Sequence, residues 1–124
     1  RIGNSVFVVG SDIGRFDHVL GIIAALSSAA PFFTQSHALI GNSYLTFINE
    51  NDKIYLSNGR IVSIFALGEH ADGVTLRGFK WELVDASLPS RSTLGLSNEL
   101  LEQVGEATVE SGVLVAIQTG AFTV

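Results

Sequence analysis

Three short segments hold the residues whose types and spacing could do chemistry. The first is Gly14-Arg15-Phe16-Asp17-His18, which follows the strand-like run 6–9 and its terminal Gly10. Arg15 offers planar, forked donors that match phosphate oxygens, and Asp17 offers a carboxylate that can orient a hydroxyl or assist a metal. The plainer reading is a solvated loop cation beside a first-turn helix acid, which the helix dipole favours by ~0.3–1 kcal/mol. The second segment is "RGFKWELVDA", residues 77–86. In an extended strand, Phe79 and Trp81 would share one face while Lys80 and Glu82 share the other. Trp81 is the only tryptophan, and core packing or a dimer contact would also account for it. The third segment is "LGLSNE", residues 94–99, where the Ser97 hydroxyl and the Asn98 amide either cap a helix or recognise a ligand.

Other chemistries are disfavoured. "GLSNE" lacks the second glycine of a nucleophile elbow, and no histidine–acid pattern supports a hydrolase. His18, His37 and His70 show no ligand spacing, and "GEHAD" at 68–72 reads as a solvated turn. With no cysteine, disulfides and thiolate metal sites are excluded. The formal net charge is −5 and the 7 Lys and Arg are scattered singly, so there is no nucleic-acid footprint.

The elements that must position these segments fall into two styles. After the run 6–9, Val19, Leu20, Ile22, Ile23 and Leu26 recur at helical spacing, with Asp17 in the first turn and residues 27–31 closing the helix. A strand, a glycine-containing loop and a helix form a β-α element of the kind found in parallel sheets. From Ser36 onward the runs are short and β-rich: "HALIG", "SYLTFIN", "DKIYL", "RIVSIFAL", "GVTLRGFKWEL" and "ATVESGVLVAIQ". Breaks at 49–52, Asn58-Gly59, Asp72-Gly73 and Ser111-Gly112 read as turns, the Asn-Gly and Ser-Gly pairs as hairpins. Only 97–104 suggests a short helical turn, with Ser97 as its N-cap. The expected fold is mainly β: an antiparallel β-sandwich or jelly roll preceded by a β-α remnant of an α/β domain. The boundary falls between Ser27 and Ser36.

Hydrophobic residues make up 47% of the 124-residue chain and charged residues 15%. A typical soluble domain carries roughly 25% charged residues, so an apolar surface covered by a partner, a second copy or another domain is expected. No apolar run reaches the roughly 18 residues of a membrane span. The chain begins at Arg1 without Met or a signal-peptide pattern, and is expected to be the later part of something longer.

In order and spacing, "GRFDH", "RGFKWELVDA" and "LGLSNE" resemble the C-terminal half of the thiamine pyrophosphokinase (thiamine diphosphokinase) family. That family has a Gly-Arg-(Leu/Phe)-Asp-(His/Gln) segment opening a helix at the end of its nucleotide-binding domain. A β-rich domain follows, with a Gly-(Leu/Phe)-Lys-(Trp/Tyr)-x-Leu stretch and then a Ser-Asn segment. Two features depart from the pattern: Ile13 stands where a second glycine is common, and the stretch 54–67 is shorter than the family meander.

The resemblance implies residues 1–35 as the last strand and helix of an α/β nucleotide-binding domain, and 36–124 as a thiamine-binding β-sandwich. It implies transfer of diphosphate from ATP to thiamine, with Mg²⁺ held mainly by aspartates upstream of this chain. The chain alone is then expected to be inactive, and no metal ligand is expected within it. Arg15 and Asp17 would be catalytic and border the diphosphate. Trp81, Ser97 and Asn98 would bind thiamine: the aromatic face stacks on its flat cationic rings with ~0.5–2 kcal/mol of cation–π attraction, and the polar pair bonds the aminopyrimidine. A cytoplasmic homodimer without nucleic-acid or membrane partners is the expected form. The alternative is a non-catalytic β-sandwich module for ligand binding or dimerisation. A jelly-roll sugar binder would need several exposed aromatics on one sheet face, and only one Trp is present.

Overall fold

The computed structural model describes residues 4–11, 14–57, 61–68, 70–90 and 92–119. The β-branched run opens as β1 (Ser5–Gly10), and the amphipathic segment follows as α1 (Phe16–Ala29), closed by a 3-10 turn at Ala30–Phe32 around Pro31. The chain then returns as β2 (Gln35–Ile40), parallel to β1 and in register from Ser5↔Gln35 to Gly10↔Ile40. A parallel pair needs such a crossover, and the helix supplies it. Val19, Ile22, Ile23 and Leu26 of α1 pack on Val6, Val8, Ala38 and Ile40, burying one face of the sheet.

Eight further strands complete the fold: β3 (Ser43–Ile48), β4 (Lys53–Leu56), β5 (Ile61–Ala66), β6 (Ala71–Arg77), β7 (Leu83–Leu88), β8 (Asn98–Glu99), β9 (Gly105–Thr108) and β10 (Leu114–Thr119). They form a six-stranded sheet, β1-β2-β3-β10-β5-β8, and a four-stranded sheet, β4-β9-β6-β7. All pairings except β1–β2 are antiparallel. The main core lies between the sheets. Ile48, Val62, Ile64, Leu114 and Ala116 from one meet Leu56, Val74, Leu76, Leu88 and Ala107 from the other. Burial alternates along both β5 and β2, but toward different cores: β5 turns Val62, Ile64 and Ala66 into this one, whereas β2 turns Ala38 and Ile40 toward α1. The mainly β, sandwich-like expectation therefore holds.

Several local expectations do not. Ser111-Gly112 is no hairpin: it carries the chain from β9 in one sheet to β10 in the other. Residues 49–52 do form the expected turn, the Asp52 N–H donating to the Asn49 carbonyl at 3.1 Å. It crosses from β3 in one sheet to β4 in the other, anchored by buried Asn49, whose Nδ2 donates to the carbonyl of Ala30 at 2.8 Å. Asn58-Gly59 lies outside the described residues, but β4 and β5 on either side of it belong to different sheets. Asp72-Gly73 sits inside β6, where the β6–β7 register shifts, and Gly73 has φ 64°. Turn dipeptides mark a sharp change of direction equally well within a hairpin, at a bulge or between sheets. A tight hairpin does join β2 and β3 through Gly41-Asn42, with Gly41 at φ 58°.

Candidate functional site

Between the end of β6 and the start of β7 the chain does not continue as a strand. Gly78, at φ 84°, turns it out of the sheet, and its N–H donates to Glu82 Oε2 at 2.8 Å, closing the loop 78–82. The expected sharing of one face by Phe79 and Trp81 is therefore overturned, because period-two alternation requires extended backbone. Phe79 turns inward, 2% exposed, and bridges to Leu100. Trp81 turns outward, 53% exposed. Lys80, expected on the opposite side, lies with its ammonium 4.8 Å from the centre of the Trp81 ring.

The facing wall is the segment 93–98. Its residues 94–97 form a turn rather than a helix, and Asn98–Glu99 pairs as β8 with Ile61 and Val62 of β5. The helical turn expected from 97 is absent, because the open edge of β5 captures this backbone. Ser97 is accordingly no N-cap. It has φ 55°, and its N–H donates to the Ser63 hydroxyl at 3.0 Å. Gly95 is seated directly on β5, its carbonyl accepting the Ile64 N–H at 2.9 Å.

Between these walls lies a cleft of about 710 Å³, lined by Lys80, Trp81, Glu82 and Leu83 on one side and 93–98 on the other. It falls within the range of small-molecule sites. Trp81, Ser97 and Asn98 are brought together here, as sequence spacing alone could not establish. Lys80, Leu94 and Leu96 also line it; the signal for the leucines was their apolar character in a turn segment. Asn98 is 2% exposed, and its amide is bonded to the backbone of Trp81 in both directions.

Arg15 and Asp17 lie elsewhere. Asp17 is in the first turn of α1 and accepts the His18 N–H at 3.0 Å. Arg15 occupies the N-cap position and pairs with Asp17 through both Nε and Nη2, the former at 3.1 Å. Both side chains are exposed. They follow β1, one edge of the six-stranded sheet, whereas β8 is the other edge. Paired residues run along one end of the sheet through Gly10, Ile40, Ser43 and Thr119, and in the neighbouring row through Gln118, Val62 and Asn98. Five strand steps of about 4.8 Å put β1 and β8, the strands that flank the two groups, up to roughly 24 Å apart, at opposite edges of the sheet.

At "GEHAD", His70 and Asp72 are exposed and 3.1 Å apart, while Glu69 lies outside the described residues. The Ser87 hydroxyl also donates to Asp72. This hydrogen bond above all, helped by nearby His70, holds the Asp72 carboxyl below its usual pKa against the opposing effect of desolvation. Among the described residues no group of three or more His, Asp or Glu could hold a metal. The Asp17 carboxylate is engaged by Arg15, so the residues described do not fit a magnesium site. No helix among them is long and apolar enough to cross a membrane.

Residues 46–114 match the family model described as thiamin pyrophosphokinase, vitamin B1 binding domain. The matched span contains Trp81, Ser97 and Asn98 but neither Arg15 nor Asp17. The chain is 28% identical over 114 residues to the thiamine pyrophosphokinase of Bacillus subtilis, covering 90% of this chain and 53% of that protein. It thus spans about half the length of that curated relative. The fold is similar to the crystal structure of the B. subtilis thiamine pyrophosphokinase, with TM-score 0.83 and 25% identity over 98% of this chain and 58% of the other. For the Geobacillus thermodenitrificans thiamin pyrophosphokinase the TM-score is 0.79, with 25% identity and coverages of 94% and 54%. The Candida albicans thiamin pyrophosphokinase shares the fold at TM-score 0.75 and 14% identity, covering 97% of this chain and 46% of that one. With more than half of its residues inside the matched domain, the chain belongs to the thiamin pyrophosphokinase family.

Proposed function

We propose that this chain supplies the thiamine-binding part of a thiamine diphosphokinase, which transfers diphosphate from ATP to the hydroxyethyl oxygen of thiamine. The observation that carries the reading is the outward-turned Trp81 at the mouth of a cleft inside the matched vitamin B1 binding domain. A cation already rests on that ring in Lys80, and a thiazolium is a cation of the kind aromatic faces attract. In the reaction the thiamine oxygen bonds to the β-phosphorus of ATP, the bond from that phosphorus to the α-phosphate bridging oxygen breaks, and AMP leaves. The hydroxyl proton is lost to a base or to water. Such transfers depend on positioning and on stabilising phosphate charge. Arg15 keeps three N–H donors beyond those spent on Asp17, enough to meet phosphate oxygens.

The placement of Arg15 and of the Trp81 cleft beside opposite edges of the sheet favours a homodimer, in which the Arg15 end of one copy faces the cleft of another. The edge strand β1, with Phe7 and Val9 exposed, favours an α/β nucleotide-binding domain to which residues 1–35 belong, with 36–124 as the thiamine-binding sandwich. ATP and Mg²⁺ would then be held mainly outside this chain, in a cytoplasmic enzyme. A non-catalytic module is the less favoured reading, because the family match falls on the cleft itself. The test is a thiamine titration followed by the fluorescence of Trp81, the only Trp. A saturable quench or shift is expected. An unchanged spectrum up to millimolar thiamine, in dimeric protein, would overturn the assignment.

A further inference from the structure

We propose that Asn98 is a positioning residue that acts through Trp81 rather than a direct ligand of thiamine. The affinity part of this proposal rests on the thiamine reading; the clamp itself does not. Trp81 sits in a loop outside the strands, with half of its side chain in solvent, so packing alone does not fix its ring. Its backbone is fixed instead. The Trp81 N–H donates to Asn98 Oδ1 at 3.1 Å, and Asn98 Nδ2 donates to the Trp81 carbonyl at 2.7 Å. The buried side-chain amide thus takes the place of a neighbouring strand across 17 residues of chain. Oδ1 also accepts the Glu99 N–H at 2.9 Å, so both of its lone pairs are used and only one Nδ2 hydrogen is left uncommitted.

A second bond holds the same loop to the same strand: the Lys80 N–H donates to the Glu99 carbonyl at 2.8 Å. β8 is only two residues long and is itself pinned to β5. The line of support runs from the sheet edge through Asn98 to the Trp81 backbone and then to its ring. Asparagine fits this place because one planar group must both donate and accept. Aspartate would keep the acceptor and lose the donor, and alanine would lose both, leaving the Trp81 amide and carbonyl unpartnered.

A double-mutant cycle on thiamine affinity separates a clamp from a ligand. Asn98→Ala in the wild-type background should weaken thiamine binding about tenfold, the size expected from losing one or two hydrogen bonds. In a Trp81→Ala background the same change should have little further effect. Additive losses would overturn the proposal, because a direct contact survives removal of the ring. Time-resolved fluorescence anisotropy of ligand-free protein provides a readout that does not depend on thiamine. Asn98→Ala and Asn98→Asp should both give Trp81 a faster local motion than wild type, and an unchanged decay in folded variants would overturn the clamp. If the variants do not fold, amide exchange in the unmodified protein decides. Protection of the Trp81 N–H despite its half-exposed side chain supports the clamp, and exchange at the rate of a free loop refutes it. Absence of thiamine binding with an intact anisotropy effect would refute the thiamine reading alone.

Discussion

The closest approach in the cleft wall is at Gly95, and replacing it with alanine should both destabilise the fold and open the site. A Cβ at this position would lie 2.2 Å from the Ile64 carbonyl oxygen and 3.1 Å from its carbon. Carbon–oxygen contacts of the Cα–H···O kind settle near 3.3–3.6 Å, so the turn must retreat by about 1 Å. The obstruction is backbone of β5 at the fully buried Ile64, which cannot swing aside as a flexible side chain would. Retreat stretches the 2.9 Å bond from the Ile64 N–H to the Gly95 carbonyl, worth about 1 kcal/mol net. Overpacking adds about 1–3 kcal/mol, for a total of roughly 2–4 kcal/mol. Urea unfolding of Gly95→Ala against wild type measures this from the shift in midpoint at unchanged slope. Leu94, Leu96 and Ser97 move with the turn, so thiamine affinity should fall as well. A variant within about 0.5 kcal/mol of wild type and with unchanged affinity would refute the reasoning, since surface changes without such a clash fall in that range.

The opposite burial of Phe79 and Trp81 predicts opposite phenotypes. Phe79→Ala should cost about 3–5 kcal/mol of stability as a core deletion. Trp81→Ala should cost far less stability yet weaken thiamine binding by roughly 1–3 kcal/mol; equal stability losses in urea unfolding would contradict the loop geometry. Asp72 should contribute to acid sensitivity. Its lowered folded pKa means that its stabilisation is complete well above the ordinary value of 3.8 and is lost as pH falls through the folded value. The stability difference between wild type and Asp72→Asn should therefore shrink below about pH 4, and a difference independent of pH from 3 to 7 would contradict this. Asp17→Asn breaks an exposed ion pair and should cost under about 1 kcal/mol. In a protein carrying the nucleotide-binding half it should lower the rate of AMP release, whereas wild-type turnover would leave Asp17 as a first-turn acid.

What the sequence by itself determined was whatever depends on neighbours along the chain. Apolar spacing in 19–26 and the acid at 17 specify α1, because a helix satisfies its own backbone and needs only one buried stripe. The short β-rich runs from Ser36 onward, separated by turn residues, specify strands, and the ordered motifs around Arg15, Trp81 and Ser97 were enough to suggest the family. Tertiary structure alone decided which strands pair. Ser111-Gly112 has the local chemistry of a hairpin, yet it links two sheets because β10 finds its partners in β3 and β5. Likewise 97–104 has a helix-start pattern, but the open edge of β5 offers Asn98 and Glu99 backbone partners that a short helix cannot match. The cleft is illegible in sequence for the same reason. Phe79 and Trp81 face opposite ways because Gly78 leaves the strand and a buried amide from residue 98 takes hold of the Trp81 backbone. Those contacts span 17 residues or more of chain, and no local pattern encodes them.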